Sequence, residues 1–306
     1  MKNSRSFAPI AIFAYNRLEH LERCVNSLLS NDEAKFSDVY LFSDGPKNEL
    51  DLEGVLSVRE FIRKISGFRT VITHYSTENQ GLAKSIITGV SDVLKRHDTL
   101  IILEDDLCLS PLFLKYMNDA LVLYEGQDNV ASIQGYQYPI KIHGNGTFFL
   151  RGADCWGWGT WRRAWKNFNP NGENLYFKLK SMDLFNELNI DNSYPYLKML
   201  KNQIKGKNDS WAVRWHASCI VNGMYSLYPM QSLVMNIGMD GTGEHCSPTS
   251  SYDVNLASKP IDIFRIEIKE DPQIKLEIKR FLRHERSLFN RIKRKISSYA
   301  KLLHTI

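Results

Sequence analysis

The sequence lacks several features that would place it in other classes of protein. No window comes near the roughly 18 to 20 consecutive apolar residues of a membrane-spanning helix. The five cysteines are scattered and never spaced as Cys-x-x-Cys, which argues against a disulfide framework or a structural zinc site and is typical of a reducing cytosol. Internal repeats and low-complexity segments are absent as well.

What remains is the composition of an ordinary globular protein. The 306 residues are 43% hydrophobic and 24% charged, which suits one large α/β domain with additions or two modest domains. A short apolar stretch at 7–15 follows two basic residues, but no small-residue cleavage site comes after it. We therefore expect this stretch to be the first strand and not a signal peptide, and the protein to be cytoplasmic.

The first half of the chain alternates strand-like and helix-like segments, which predicts an α/β fold with a mostly parallel sheet. The predicted strands are 9–15, 39–42, 70–75, the run that ends in Glu104, and 130–133, and predicted helices cover 18–29, 52–65, about 81–95 and a segment from Pro111. Beyond about residue 140 the pattern becomes irregular and aromatic, and all six tryptophans lie between Trp156 and Trp215.

The net charge of +5 is unevenly distributed along the chain. Residues 275–306 contain ten basic residues and two acids, a formal charge of +8, so residues 1–274 carry −3. Apolar residues recur in this segment at the spacing of one helix face, from Ile274 to Leu303. The pattern predicts a carboxyl-terminal basic amphipathic helix over residues 273–306.

Such a helix has several candidate partners. We rank an anionic membrane surface first, which would place the protein peripherally on the inner face of the membrane, and self-association as a homodimer second. The simpler alternative is a helix that packs on its own domain with a solvated charged face. The charge would also supply nonspecific affinity for nucleic acid, but we do not expect a nucleic-acid partner.

A run of four apolar residues, 100–103, leads directly into Glu104, Asp105 and Asp106. Adjacent acids repel one another unless a cation or hydrogen-bond donors compensate them. Carboxylates at the carboxyl end of a buried strand lie where open α/β sheets bind ligands, and such oxygen ligands suit Mg²⁺ or Mn²⁺. A solvated acidic loop is the alternative interpretation, and for an isolated triplet it would be the better one.

Two other predicted strand ends carry polar residues, Asn16–Arg17 and Asp44. Because parallel strands end at the same edge of a sheet, these residues can converge with the acids on a single ligand. The set suits a sugar nucleotide: Arg17 could pair with phosphate, Asp44 could accept hydrogen bonds from the base, and the acids could meet ribose and metal. Taken singly, Arg17 and Asp44 would be no more than helix-start and turn residues.

Four segments carry a family resemblance: 16–17 (Asn-Arg), 43–45 (Ser-Asp-Gly), 78–83 (Glu-Asn-Gln-Gly-Leu-Ala) and 102–106 (Ile-Leu-Glu-Asp-Asp). In this order they resemble a GT-A-fold glycosyltransferase, which is Rossmann-like, from the family 2-like and N-acetylglucosaminyltransferase I-like branches. The resemblance covers roughly residues 8–246. We expect a GT-A domain over 1–250, a connecting segment over 251–272 and the basic tail over 273–306.

The resemblance implies a metal-dependent transferase that uses a nucleotide-activated sugar, most often a UDP-sugar. It assigns metal binding to Asp106, ribose and donor-sugar contacts to Glu104 and Asp105, and nucleotide contacts to Arg17 and Asp44. A divalent cation, Mn²⁺ or Mg²⁺, would act as a Lewis acid on the departing diphosphate. The motif begins with glutamate instead of aspartate, which favours the N-acetylglucosaminyltransferase I-like pattern with few protein ligands on the metal.

Two further residues are candidates for the chemistry. A glycine-rich loop at 238–245 ends in His245, which we expect to complete the metal coordination. Inverting transfer also needs a general base for the acceptor hydroxyl, and the resemblance gives this role to the acid before a tryptophan, Asp209. The competing acids are Glu173, Glu244 and, as a weaker candidate, Asp240. The alternatives are a surface histidine and an aspartate that caps the next helix.

The tryptophans admit two interpretations. Sugar rings have apolar faces, so the pair Trp156 and Trp158, flanked by glycines in a predicted loop, is expected to contact the acceptor. Large aromatic residues are nevertheless more often found in cores, and we expect about half of the six tryptophans there.

Together these features predict a hexosyl- or N-acetylhexosaminyltransferase that moves a sugar, with inversion, from a nucleotide sugar to a saccharide or lipid-linked glycan, as in surface polysaccharide biosynthesis. One alternative is a sugar-nucleotide nucleotidyltransferase, but that class would want a glycine-rich phosphate loop where residues 14–17 contain no glycine. The other is a non-catalytic carbohydrate-binding protein that uses the tryptophans alone. It would leave the acidic cluster and Asp44 without a joint role.

Overall fold

The structure is a computed structural model and describes residues 7–241 and 249–287. In chain order its strands are β1 (Ile10–Ala14), β2 (Asp38–Ser43), β3 (Thr70–Tyr75), β4 (Thr99–Glu104), β5 (Leu107–Leu109), β6 (Val130–Gln134), β7 (Thr147–Arg151), β8 (Trp158–Trp161), β9 (Tyr225–Pro229) and β10 (Val234–Asn236). The helices are α1 (Leu18–Leu29), α2 (Glu49–Lys64), α3 (Leu82–Arg96), α4 (Phe113–Leu123), α5 (Arg162–Trp165), α6 (Gly172–Ser181), α7 (Phe185–Leu188), α8 (Tyr196–Ile204), α9 (Trp211–Val221) and α10 (Pro272–Glu285).

Among the described residues, eight strands form one sheet in the order β3-β2-β1-β4-β8-β6-β9-β7, and β5 pairs with β10 in a separate ribbon. The pairs β2–β3, β1–β2, β1–β4 and β6–β9 are parallel, whereas β8, between β4 and β6, and β7, at the edge beside β9, are antiparallel to their neighbours. The sequence prediction of an α/β fold with a mostly parallel sheet is confirmed.

The two central strands explain why the first half was easy to predict. All five residues of β1 are buried, and so are the four residues 100–103 of β4, as expected for parallel strands that are covered on both faces. Helix α1 covers this part of the sheet with one apolar stripe, of which Leu21, Val25 and Leu28 are completely or almost completely buried. The register brings Phe13 opposite both Phe42 and Glu104, so β1, β2 and β4 end level with one another.

The second half differs from the irregular segment that the sequence predicted. Strand β8 lies between β4 and β6 and pairs antiparallel with both of them, and β7 continues the sheet beyond β9. These pairings join residues far apart in the chain, so no local sequence pattern predicts them. Strand β8 begins at Trp158, a residue for which the sequence predicted a loop.

A helical lobe, residues 172–221, packs beside the sheet on a small apolar core of its own. This second core contains Leu175, Leu179, Leu188, Leu200, Val213, Ala217 and Ile220. The lobe, which consists of α6, α7, α8 and α9, is therefore held together by its own apolar core. None of the helices within the described ranges has the length and apolar character that crossing a bilayer would require.

The start of the basic tail is docked on the domain. Helix α10 buries Ile274, Ile278 and Leu282 in the main core. On its polar side, Lys279 pairs with Asp191 at 2.9 Å, and Lys275 lies 3.5 Å from the same carboxylate. In its described part the helix thus packs on its own domain, the simpler of the alternatives. The rest of the predicted helix lies outside the described residues, and the predicted boundaries at 250 and 272 stay predictions.

We expect Asp191→Asn to weaken the docking of α10. The two lysines lower the pKa of Asp191 despite the opposing effect of its burial. The ion pairs therefore stabilise the fold above the pKa of an unfolded aspartate, near 3.9, and this contribution is lost as the pH falls through the lower folded pKa. At pH 7 the substitution should lower the free energy of unfolding by about 1 kcal/mol, measured by urea denaturation. Near pH 2 the difference should vanish.

Asp183→Asn is the matched control. Both aspartates have a left-handed backbone, with φ of 55° at Asp183 and 50° at Asp191, and asparagine tolerates this conformation well. Within the described residues no ion pair engages Asp183. Equal stability of the two variants and the parent at pH 7 would contradict the role given to Asp191.

Candidate functional site

Polar residues follow β1, β2 and β4 at the level edge where these three parallel strands end. Arg17 comes three residues after the end of β1, Asp44 directly after β2, and Asp105 directly after β4. The convergence expected from the sequence is therefore present for Arg17 and the acids, which touch one another. Asp44 lies one strand further along the same edge.

Arg17 is the cation that compensates the acidic cluster. Its Nη2 donates to Oδ1 of Asp105 at 2.5 Å and to Oδ2 of Asp106 at 2.9 Å. Burial would lower the pKa of Arg17, but the charges of Asp105 and Asp106 outweigh it and raise this pKa further above its ordinary value. The arginine is therefore charged at every accessible pH and holds both carboxylates at the strand end.

The cluster remains short of positive charge even with Arg17 in place. Burial raises the pKa of Glu104, and the charges of Asp106 and Asp105 raise it further. Burial also raises the pKa of Asp105, an effect that Arg17 offsets only in part. Three acids at one strand end share one arginine, so an additional cation would find a favourable electrostatic environment here.

Asp106 also fixes the start of the glycine-rich loop. The amide of Ile237 donates to the carbonyl oxygen of Asp106 at 2.8 Å. A side chain at Gly238 would collide with the Asp106 carboxylate, so only glycine fits beside it. The loop therefore begins in contact with the predicted metal ligand. His245 and the competing base Glu244 lie outside the described residues.

Asp44 is buried and is occupied by backbone amides. Its Oδ1 accepts from the amides of Gly45 and Gln80 at 2.9 and 2.8 Å, and its Oδ2 accepts from the amide of Gly81 at 2.8 Å. A Cβ at Gly45 would come within 2.5 Å of the Glu78 backbone. Two of the motifs recognised in the sequence, 43–45 and 78–83, are thus joined by one carboxylate that holds the loop before α3.

Two residues near this edge were missed by the sequence analysis. Arg59 of α2 donates to the carbonyl oxygens of Asp44 and Ser76 at 3.0 and 2.6 Å, and so ties the ends of β2 and β3 together. His20 binds Asp240 of the glycine-rich loop, with Nε2 and Oδ2 3.1 Å apart. His20 lies in the first turn of α1, three residues after Arg17, which precedes this helix, and this short spacing was a usable signal. Nothing in the sequence pointed to Arg59.

The predicted base Asp209 lies on the surface of the helical lobe. Its side chain is 68% exposed, and its Oδ1 accepts from Nη2 of Arg214 at 2.8 Å. The alternative role as a helix cap is wrong, because the side chain of Ser210 caps α9 by accepting from the amide of Val213. Trp211 stacks on Trp158, which pairs with Ile102 near the end of β4. Asp209 therefore lies two residues before Trp211, whose ring packs near the end of β4, the strand that the acids follow.

The acceptor prediction is wrong for Trp158. Its side chain has no exposed surface, because β8 carries it into an aromatic cluster where Trp165, Trp211 and Trp215 lie 5.6–6.0 Å from it. A fully buried ring cannot form a platform for a sugar. Within the described residues five of the six tryptophans are buried, more than the predicted half. Trp156 alone is partly exposed, with its ring against Tyr136 and Tyr252.

The solved structures that match this chain do so at low sequence identity and low TM-score. A mannosyltransferase from Pyrobaculum calidifontis in complex with GDP-Man and Mn²⁺ is 14% identical, with a TM-score of 0.33 over 45% of this chain and 40% of that one. TarS from S. aureus is 15% identical, with a TM-score of 0.31 over 46% and 24%. A cytidylyltransferase from Leptospira borgpetersenii is 14% identical, with a TM-score of 0.33 over 60% and 72%. The chain thus spans less than half the length of the first two.

The family assignment has a different basis. No curated protein sequence matches the chain significantly. Residues 10–181, more than half of the chain, match the family described as Glycosyl transferase family 2. This range contains the acidic cluster, Arg17, Asp44 and the motif that Asp44 holds. The chain therefore belongs to glycosyl transferase family 2, and its α/β sheet is of the GT-A type.

Proposed function

We propose that this glycosyltransferase moves a sugar from a nucleotide sugar, a UDP-sugar, to a saccharide or lipid-linked glycan acceptor with inversion at the transferred carbon. The observation that carries the proposal is the contact of Arg17 with Asp105 and Asp106 at the level edge of three parallel strands. Open α/β sheets bind nucleotides at this edge. Family membership supports this function over a nucleotidyltransferase and over a non-catalytic carbohydrate-binding protein.

In the proposed complex, Arg17 and Asp44 contact the nucleotide. Within the described ranges both side-chain hydrogen bonds of Arg17 use Nη2, which leaves Nε and Nη1 to donate to phosphate oxygens. Asp44 accepts three amides, and a carboxylate has about four acceptor positions, so one remains for the base. Glu104 and Asp105 face the ribose and the donor sugar in this arrangement.

The residues present fit a divalent cation at Asp106. Carboxylate oxygens suit Mn²⁺ and Mg²⁺, and the cluster has an excess of negative charge. Within the described ranges no group of three potential ligands comes together, so substrate phosphates and His245 would have to supply further ligands. That is the N-acetylglucosaminyltransferase I-like pattern with few protein ligands. When bound, the cation supplies Lewis-acid stabilisation of the departing diphosphate.

Asp209 acts as the base in this proposal. It accepts the proton of the acceptor hydroxyl while the acceptor oxygen forms a bond to the sugar carbon and the bond to the diphosphate breaks. Arg214 orients the carboxylate without burying it, since Asp209 is 68% exposed. Trp156 offers its partly exposed ring to the acceptor. The nucleotide sugar that the enzyme hydrolyses will identify the transferred group as a hexosyl or an N-acetylhexosaminyl group.

Thermal unfolding tests the proposal before any acceptor is known. UDP and Mn²⁺ together should raise the Tm by about 5 °C at saturating concentrations, because a ligand that binds only the folded state stabilises it. UDP with a chelator and Mn²⁺ without nucleotide are the controls, and each should have little effect. A panel of nucleotide sugars should then reveal slow metal-dependent hydrolysis of the true donor. Failure of every nucleoside diphosphate to stabilise the protein with Mn²⁺ would refute the function.

A further inference from the structure

The helical lobe presents an exposed row of lysines. Lys198 and Lys201 of α8 and Lys205, the C-cap of this helix, follow one another at spacings of three and four, which places them on one side of it. Lys207 follows in the turn after α8, and it is exposed as well. Lys201 stands over the ring of Tyr176 at 5.4 Å, and Lys180 lies one turn further along α6 from this tyrosine. We call these five lysines the basic face.

The charge of the basic face is not neutralised. In the part of the chain that the structure describes, no acid forms an ion pair with any of the five lysines. Asp191, in the turn before α8, is already engaged by Lys275 and Lys279. Two exposed acids of the lobe, Glu173 and Asp183, stand near the ends of α6, and a third, Asp209, is paired with Arg214, so the row on α8 is uninterrupted.

Basic side chains of α10 extend this surface. Arg283 donates to the carbonyl oxygen of Asp191 and Arg286 to that of Ser193, at 3.1 and 3.0 Å. Both bonds engage neutral carbonyl groups, so the two positive charges persist beside the turn that leads into α8. The surface therefore combines charges from three elements, α6, α8 and α10.

Two large apolar side chains are exposed next to the lysines of α6. Phe177 is 65% exposed and Met182 is 52% exposed. Phe177 lies against Tyr176, the ring beneath Lys201, with their centroids 5.7 Å apart. Lysines around exposed apolar side chains are the signature of proteins that lie on anionic bilayers, where the charges meet headgroups and the apolar groups enter the interface. A polyanion without an apolar phase would leave Phe177 and Met182 in water.

We propose that the basic face docks on a bilayer that contains anionic lipids. The face ends at Lys207, two residues before Asp209, so docking would hold the proposed base close to the membrane surface. This surface belongs to the folded lobe and is distinct from residues 288–306. Its existence does not depend on the proposed reaction, since lipid binding requires neither donor nor metal.

Vesicle sedimentation with the full chain tests the proposal. The protein should bind vesicles of phosphatidylcholine and phosphatidylglycerol, but not vesicles of phosphatidylcholine alone, and added salt should weaken binding. Each lysine near an anionic surface contributes about a fivefold change in affinity, so Lys198→Ser/Lys201→Ser/Lys205→Ser should lose roughly 100-fold. Phe177→Ser should weaken binding about tenfold without any change in charge.

The matched control removes the same charge elsewhere. Lys64→Ser/Lys95→Ser/Lys115→Ser replaces three exposed lysines on α2, α3 and α4 and keeps the whole tail, so it should bind like the parent. Equal affinity of the two triple variants would overturn the proposal, as would binding to neutral vesicles. The proposal would also be overturned if Lys198→Ser/Lys201→Ser/Lys205→Ser bound the anionic vesicles like the parent but bound an anionic polysaccharide or a nucleic acid more weakly. All substituted residues are exposed, and unchanged Tm values should confirm that the variants fold.

Discussion

Asp106→Asn should abolish the metal-dependent part of donor binding while the protein stays folded. The substitution removes the carboxylate to which we assign the metal and lowers the excess of negative charge in the cluster, so the attraction for a divalent cation falls. Because such a cation supplies several kcal/mol of charge stabilisation, the affinity for UDP in Mn²⁺ should fall about 100-fold or more. Calorimetric titration of UDP with and without Mn²⁺ measures this loss.

Two further variants make the result specific to Asp106. Asp98→Asn removes an acid that is 82% exposed at the opposite end of β4, and should leave UDP binding unchanged. Gly238→Ala keeps every charge but forces a methyl group against the Asp106 carboxylate. It should therefore weaken UDP binding in Mn²⁺, because the carboxylate is displaced from the metal position. If Asp106→Asn binds UDP with the Mn²⁺ dependence of the parent, the metal does not lie at Asp106.

Asp209→Asn should separate chemistry from donor binding. An asparagine retains the shape of the side chain but cannot take the proton of the acceptor hydroxyl, so the transfer rate should fall by roughly 10²–10⁴-fold. Donor affinity should be unchanged, because Asp209 lies on the helical lobe, where its carboxylate pairs with Arg214 and not with Arg17 of the acidic cluster. The measurements are kcat with a saturating acceptor and the Kd for UDP in Mn²⁺.

Glu173→Gln is the appropriate control for Asp209→Asn. Glu173 is an exposed acid in the first turn of α6 and was a competing candidate for the base. Its replacement should leave kcat within twofold of the parent, roughly the scatter expected of a neutral surface change. Transfer at the parental rate in Asp209→Asn, or a large loss in Glu173→Gln, would move the base to another residue.

The basic tail shows how much tertiary structure can change the meaning of a pattern. Its ten basic residues and its apolar stripe suggested a membrane-binding helix. In the described part, the apolar stripe is buried in the main core, and two of the lysines pair with Asp191. The surface on which we propose lipid binding centres on α8, where the sequence showed only a scatter of lysines, and residues of α6 and α10 extend it. The ion pairs and the burial depend on which elements become neighbours.

The sequence by itself determined the parallel half of the sheet and the acidic edge of the site. Apart from β5, the strands and α-helices up to residue 133 were predictable from their apolar periodicity, and the strands β1, β2 and β4 are followed by polar residues. That Arg17 and the acids would converge followed from parallel strands alone. These features depend on local periodicity and on the common direction of neighbouring strands.

Only the tertiary structure decided the antiparallel half and the partners of individual side chains. Trp158 looked like a loop residue, but pairing of β8 with both β4 and β6 buries it completely. The sequence showed Asp44 without partners, but the loop at 79–81 folds back onto its carboxylate and takes two of its acceptor positions. Both outcomes arise from contacts between residues distant in the chain. Such contacts form only where the whole fold lowers the free energy, so no single segment contains the information.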